Sequence, residues 1–347
     1  MQTKSKSTLR NLAEQCGVST ATVSRALSGH PNVRADVRDR ILAEAQNHGY
    51  MRNHLVSSLM AHVRKDRAQQ FTGNLAMVHI PSPRQPNILP MQQRIIAGAT
   101  QRAAELGFHL DVFSLGGKEN LKPQSLGRIL QARGVSGAIF LHPNSNDATA
   151  GFPWEHFASL HIDYPSIELH HHTVSLDHHF TLTTALQRLR SLGYKRAGLF
   201  IARHKDERLI HKWSAAFRSF QENQGGIGKV PVFMREQITK PELLAWWREN
   251  QPDLIIGHVD QAVQWFEEEG VAIPATLAYF NLNWNERTQP CAGLDLRPEL
   301  HGIVAVETLA AQIHRNERGL PQDPRTVMIS GKWVDGPTLQ TPTAIPN

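Results

Sequence analysis

The chain is poor in cysteine: Cys16 and Cys291 are its two, far apart, with no zinc-ligand or Cys-x-x-Cys spacing around either. Reduced, partly buried thiols are therefore expected. No apolar run approaches the roughly 18 residues of a membrane-crossing helix. The opening Met1-Gln2-Thr3-Lys4-Ser5-Lys6 leads into polar sequence rather than a secretory apolar segment. A cytoplasmic location with no membrane partner is expected. Gly116-Gly117-Lys118 lacks the Walker pattern and reads as a turn. There is no Ser-centred nucleophile elbow and no paired-carboxylate motif, so neither an enzyme nor a cofactor is expected. His170-His171-His172 with His178 and His179 lacks helical ligand spacing; a polar loop at a strand edge is expected there, and no metal.

Acidic charge is scarce in one place only. Residues 1–70 hold 11 basic and 5 acidic side chains, an excess of six that equals the formal net charge of the whole chain, +6. The remainder balances, with 26 of each. A basic end on a neutral body is the footprint of a small domain that faces a polyanion. At 347 residues and 40% hydrophobic content there is enough chain for two or three packed units.

The basic end carries a motif. Leu9, Leu12, Ala13 and Cys16 fall on one face of a short helix, with Thr8 placed to cap it and Gly17 to stop it. Ser19 reads as a second N-cap, and Val23, Ala26 and Leu27 form the inner face of the helix it starts. A third helix is expected over 34–48, with Val37, Ile41 and Ala45 four apart and Tyr50 folding back after Gly49. Helix, glycine turn, helix is a helix-turn-helix. Its second helix is polar on the outside. Thr20, Ala21, Ser24 and Arg25 face outward near the groove-entering end, where Ala21 permits close approach and Arg25 can bond a guanine bidentately. The hydroxyls of Thr22 and Ser24 suit phosphates.

The run from Thr8 to Gly29, and within it Gly17-Val18-Ser19-Thr20-Ala21-Thr22-Val23-Ser24-Arg25, closely resembles the headpiece of the LacI/GalR family of transcriptional regulators. The match continues through Val33 to Gly49-Tyr50. The resemblance implies a DNA-binding surface of Thr8, Ser19, Thr20, Ala21, Thr22, Ser24, Arg25, Asn32 and Asn53. It also implies a hinge helix after Tyr50 that forms on the operator and wedges Leu59 into the minor groove. Arg52 and Val56 depart from the proline and alanine frequent in that hinge. The expected domains are a headpiece over 1–52, a hinge and linker over 53–73, and a two-lobed sensor over 74–347.

From residue 74 the pattern alternates. Strands are expected at 75–80, 108–113, 137–141, 197–202, 230–233, 254–257 and 277–280. Helices are expected at 91–106, 124–132, 181–192, 208–221, 241–250 and 261–269. Such alternation implies parallel sheets covered by helices, and two series imply two α/β lobes. The resemblance implies a periplasmic-binding-protein-like sensor crossed three times by the chain, with helix 298–315 returning to the first lobe and a last strand at 327–329 in the second. Ligands bind at strand carboxyl ends between such lobes. The effector residues expected are Ser82 (with Arg84), Asp163, Ser175, Arg208, Asp260 (or His258) and Asn281. Tyr279-Phe280-Asn281-Leu282 and the run after Arg208 depart from the family's sugar-binding patterns. The terminus over 336–347 has three prolines and no heptads, so no tetramer-forming coiled coil is expected.

The implied function is a regulator, a repressor in particular, that binds a pseudo-palindromic double-stranded operator as a homodimer under a small-molecule effector such as a sugar or sugar derivative. The alternative is an effector-independent, architectural DNA-binding protein with a degenerate sensor.

Overall fold

The computed structural model describes residues 9–27, 33–47, 73–81, 87–116, 121–141, 146–162, 171–223 and 228–340. The headpiece comprises α1 (Leu9–Gln15), α2 (Thr20–Leu27) and α3 (Ala35–Asn47). They close on a small core of Leu12, Ala13, Cys16, Val23, Ala26, Val33, Ile41 and Ala45, the apolar faces expected from the spacing. Gly17 ends α1 at a φ of 62°, a left-handed turn that glycine adopts without Cβ strain. Arg40 donates to the Cys16 carbonyl at 3.1 Å and ties α3 to that turn.

The body begins with β1 (Gly73–His79), α4 (Pro90–Glu105), β2 (Phe108–Ser114), α5 (Pro123–Ala132), β3 (Val135–Leu141), β4 (Ala158–Ile162) and β5 (His172–Leu176). It continues with α6 (His178–Ser191), β6 (Ala197–Ala202), α7 (Arg203–Glu207), α8 (Lys212–Asn223), β7 (Phe233–Arg235), α9 (Lys240–Asn250), β8 (Leu254–Gly257), α10 (Gln261–Glu268), β9 (Ala278–Asn281) and β10 (Ala292–Asp295). It ends with α11 (Pro298–Arg315), β11 (Thr326–Ile329) and β12 (Lys332–Val334). Proline at the first turn of α4, α5, α9 and α11 suits a position whose N–H has no helical partner.

The described strands form two six-stranded sheets, ordered β11-β5-β4-β3-β1-β2 and β12-β10-β9-β8-β6-β7. Within each, the first five strands run in the order 2-1-3-4-5, all parallel, and the inner strands β1, β3, β6, β8 and β9 are largely apolar and buried, as strands covered on both faces must be. The order reverses at β1/β3 and at β6/β8, and a doubly wound sheet opens its crevice at that reversal. The chain passes between lobes at 176–178, 295–298 and 329–332, the three crossings expected. Helix α11 returns to the first lobe, where Ala305, Val306 and Leu309 pack with Ile95 and Ala99 of α4.

Four expectations are corrected. The strand at 326–329 belongs to the first lobe, paired with β5, because the register Val327–Val174 extends that sheet; β12 is the strand that ends in the second. The helix expected over 208–221 starts four residues later, as α8 at Lys212, because Ile210 and His211 adopt φ of 54° and 58°; the short α7 precedes the expected span. The strand expected at 230–233 lies at Phe233–Arg235. The histidine run is no strand-edge loop: His172 starts β5, interior to its sheet between β4 and β11, and His171, His172 and His178 are buried. His170 lies outside the described residues. Among the described residues no trio of His, Cys, Asp or Glu is placed to hold a metal, and no helix is long and apolar enough to cross a membrane.

Candidate nucleic-acid interface and effector cleft

Ser19 caps α2: its hydroxyl oxygen accepts from the Thr22 amide at 3.1 Å, while its carbonyl accepts from the amides of Thr22 and Val23. The Thr22 hydroxyl lies 2.9 Å from that of Ser19, so both hydroxyls hold the start of the helix in the pose that points it outward. Ser19 and Thr20 are exposed at this end, and Arg25 is exposed in the last turn. Nothing is described for the side chains of Ala21 and Ser24, and Thr8, Asn32, Asn53 and Leu59 lie outside the described residues.

Between the lobes lies a cavity of about 520 Å³. The first lobe supplies the start of α4 (Leu89, Met91, Gln92, Ile95) and the last residues of β3 and β4, Leu141 and Ile162. The second supplies Lys205 and Arg208 after β6, His258 after β8 and the loop after β9, with Trp213 of α8. Every strand that contributes does so at or beyond its carboxyl end, where a parallel sheet binds its ligand.

The break between α7 and α8 shapes this wall. Asp206 is fully buried and accepts from the Ser214 amide at 3.2 Å, with His211 Nδ1 3.2 Å from its other oxygen. The His211 amide donates to the Asp206 carbonyl at 2.9 Å. These bonds over-determine the two left-handed residues and turn Lys205 and Arg208 toward the cavity. Burial, with Arg208 adding to it and Glu286 opposing, holds the Lys205 ammonium below its usual pKa. Burial, followed by the charges of Lys205 and Arg208, pushes the His258 imidazole well down, so that it is neutral at physiological pH.

Of the expected effector residues, Arg208 lines the cavity, as does His258, the alternative to Asp260. Ser175, Asp260 and Asn281 do not, each having a structural partner instead. Ser175 is buried in β5 and donates to the Leu176 carbonyl at 3.1 Å. Asp260 accepts from the Thr288 hydroxyl at 3.1 Å and the Gln289 amide at 3.2 Å, and so ties down the loop after β9. Asn281 accepts from the Asn283 amide at 2.7 Å, beneath that loop. Ser82, Arg84 and Asp163 lie outside the described residues. Sequence reasoning missed Lys205, Asn283 and Arg287; Trp213, which the sequence offers as core or interface first and as a stacking surface for a sugar second, lines the cavity. The signal for Lys205 and Asn283 was positional: they stand three and two residues past the ends of β6 and β9, whereas Asn281, expected just past a strand over 277–280, is the last residue of β9.

Comparison with known proteins agrees with both parts. Residues 8–53 match the model of bacterial regulatory proteins of the lacI family, and residues 186–339 match that of the periplasmic binding protein-like domain. The chain carries a LacI-family helix-turn-helix domain joined to a periplasmic-binding-protein-like domain. It is 26% identical over 291 residues to an uncharacterized HTH-type transcriptional regulator, YkvZ, of Bacillus subtilis, across 81% of this chain and 85% of that one. To the HTH-type transcriptional regulator RafR of Escherichia coli it is 26% identical over 199 residues, 55% of this chain and 54% of RafR. Among solved structures it resembles the transcriptional regulator CelR in complex with cellobiose, at a TM-score of 0.56 and 17% identity over 96% of this chain and 99% of that one. It likewise resembles the lac repressor dimer bound to operator and the anti-inducer ONPF, at 0.55 and 19% over the same shares. At those identities the likeness concerns the fold. The chain thus joins a LacI-type DNA-binding helix-turn-helix to a two-lobed α/β body.

Proposed function

We propose that this LacI-family protein is a cytoplasmic repressor that binds a pseudo-palindromic operator as a homodimer and is switched by a small molecule held between its lobes. Its role is binding, not catalysis. The observation that carries the reading is the cavity lined from both lobes at the strand ends, in the same chain as a basic helix-turn-helix. A cavity of that size, open to both lobes, favours a ligand-responsive sensor over a degenerate one. One headpiece offers a single eight-residue recognition helix, and two-fold pairing doubles the sequence read. The structurally similar lac repressor is itself described as a dimer on its operator.

The DNA surface assigned is Ser19, Thr20, Ala21, Thr22, Ser24 and Arg25, with Thr8, Asn32, Asn53 and Leu59 around it. Arg208 and His258 belong to the effector site. The test is to select binding duplexes from random sequence and titrate them by fluorescence anisotropy. Two chains per selected site are expected. Arg25→Ala should lose about 1–3 kcal/mol on the selected duplex and little on random DNA, as loss of a bidentate base contact requires. One chain per site, or equal losses on both duplexes, would sink the assignment.

A further inference from the structure

We propose that the cleft takes an anionic metabolite, a small polyhydroxylated molecule whose carboxylate or phosphate lies against Lys205, Arg208 and Arg287 and one of whose hydroxyls donates to Asn283. The inference rests on the cleft being the effector site.

Charge points to the anion. Beyond residue 70 the chain balances its charges, yet among the described residues the cavity lining holds three cations and one carboxylate, Glu286. The cations are arranged at two depths. Arg208 and Arg287 are exposed, while Lys205 is half-buried between them and the interior. The Arg287 guanidinium is held in place, 3.4 Å from the ring centroid of Trp284 and donating to the Trp284 carbonyl at 3.0 Å. Lys205 is placed at a cost, since burial, with Arg208 adding to it and Glu286 offsetting only part, disfavours its charged form. A ligand anion removes that cost at a stroke; a neutral sugar leaves it standing.

Unmet hydrogen bonding points to the hydroxyl. Asn283 is 7% exposed and lines the cavity, and its side-chain oxygen has no hydrogen-bond partner. A buried acceptor without a donor costs about 1–3 kcal/mol, and a ligand hydroxyl is what would supply the donor. His258 Nδ1, on the same lining, is likewise without a partner. Burial, and after it the surrounding cations, keep that ring neutral, so it offers one donor and one acceptor rather than a further positive charge. Trp213, nearly wholly buried, lends an apolar surface to the same cavity. Charge at the rim, hydroxyl partners within and an aromatic floor together describe a sugar acid or a sugar phosphate.

The test uses the full-length protein and thermal shift, with gluconate, glucuronate, glucose 6-phosphate, fructose 6-phosphate and inorganic phosphate as anionic probes. Glucose and cellobiose are the neutral probes, and every anion is run against sodium chloride of equal ionic strength. At least one anion should raise Tm saturably where the neutral sugars do not. Lys205→Met should weaken that anion at least tenfold, and Arg208→Gln serves as the second variant if Lys205→Met does not fold. Response to the carboxylates alone, or to the phosphates alone, tells which acid the site prefers. The proposal falls if no anion acts saturably, if its effect survives both substitutions, or if a neutral sugar binds as tightly as any anion. Operator binding by gel shift is read on the same samples. Intact operator binding without an anion effect overturns this proposal alone, whereas saturable anion binding that leaves operator affinity unchanged overturns the regulatory reading alone.

Discussion

His161 and His171 stack inside the first lobe, ring centroids 4.1 Å apart and 23° from parallel, with Trp154 4.4 Å from His171. Both nitrogens of His161, and Nε2 of His171, lack hydrogen-bond partners. Burial holds His161 well below the ordinary imidazole range, and burial with the adjacent His172 lowers His171 to about 4. The folded state therefore refuses protons that the unfolded chain accepts near pH 6.5. Stability is full above that value and falls as pH drops toward 4. For His171 the loss is about 2 kcal/mol by pH 5, from the linkage of a single group over that interval. Unfolding in urea at pH 7.5 and pH 5.0 checks it: His171→Gln should show a smaller drop between the two pH values than the parent. An equal drop would mean that the imidazole is solvated. None of this was legible in the sequence, where five histidines in ten positions resemble a solvated loop. Lateral partners within the lobe are what permit their burial. His172 Nδ1 accepts from the Arg325 amide at 3.1 Å, and His171 shares a 3.4 Å contact with Ser159.

Among the described elements, α4 and α11 approach each other closely enough for backbone to meet backbone. A Cβ on Gly98 would overlap the Glu299 carbonyl, and one on Gly302 would overlap the Ile95 carbonyl and the Ala99 nitrogen. The obstacles are backbone atoms, which no rotamer change can clear. Arg94 with Glu299, and Arg102 with Glu307 at 2.9 Å, flank the contact. Gly302→Ala should cost about 2 kcal/mol or more through overpacking, seen as a fall in Tm of several degrees. An unchanged Tm would place the two helices farther apart. The same scale explains what the sequence revealed. Strands with unbroken apolar runs, such as Leu75–Val78 and Ala138–Leu141, announced themselves, and so did helices opened by proline. The strands β4 and β5 did not, because Ser159, His161, His172, Thr173 and Ser175 interrupt their five-residue spans. The α7/α8 break was hidden for a different reason. Its local pattern is helical, and the buried Asp206, a tertiary feature, imposes the turn that brings Lys205 and Arg208 to the cleft. Arg208 and His258 stand after strands, and the same rule reaches Lys205 and Asn283 once the strand ends at Ala202 and Asn281 are fixed, which the alternation of the sequence places only to within a residue or two.

At the scale of the whole molecule, the cleft and the DNA surface are coupled sites if the regulatory reading holds. Effector and operator must then change each other's affinity by one and the same factor. The hinge lies outside the described residues, but its leucine gives a handle on that coupling. Leu59→Ala should weaken specific operator binding at least tenfold and leave ligand affinity, measured without DNA by calorimetry, nearly unchanged. Tight operator binding by Leu59→Ala would separate this protein from a minor-groove wedge mechanism. The three passages of the chain between lobes, at 176–178, 295–298 and 329–332, bear on how such coupling travels. A single tether would let the lobes tumble independently, and a message entering one would dissipate. Three short cords lying side by side at the back of the cleft resist both sliding and free rotation. What remains is bending toward and away from closure, and twisting about their common axis. On the regulatory reading, a small group gripped between the lobes would act on the long arm of a lever whose fulcrum is those cords, and the surface of the first lobe would move as one piece with it.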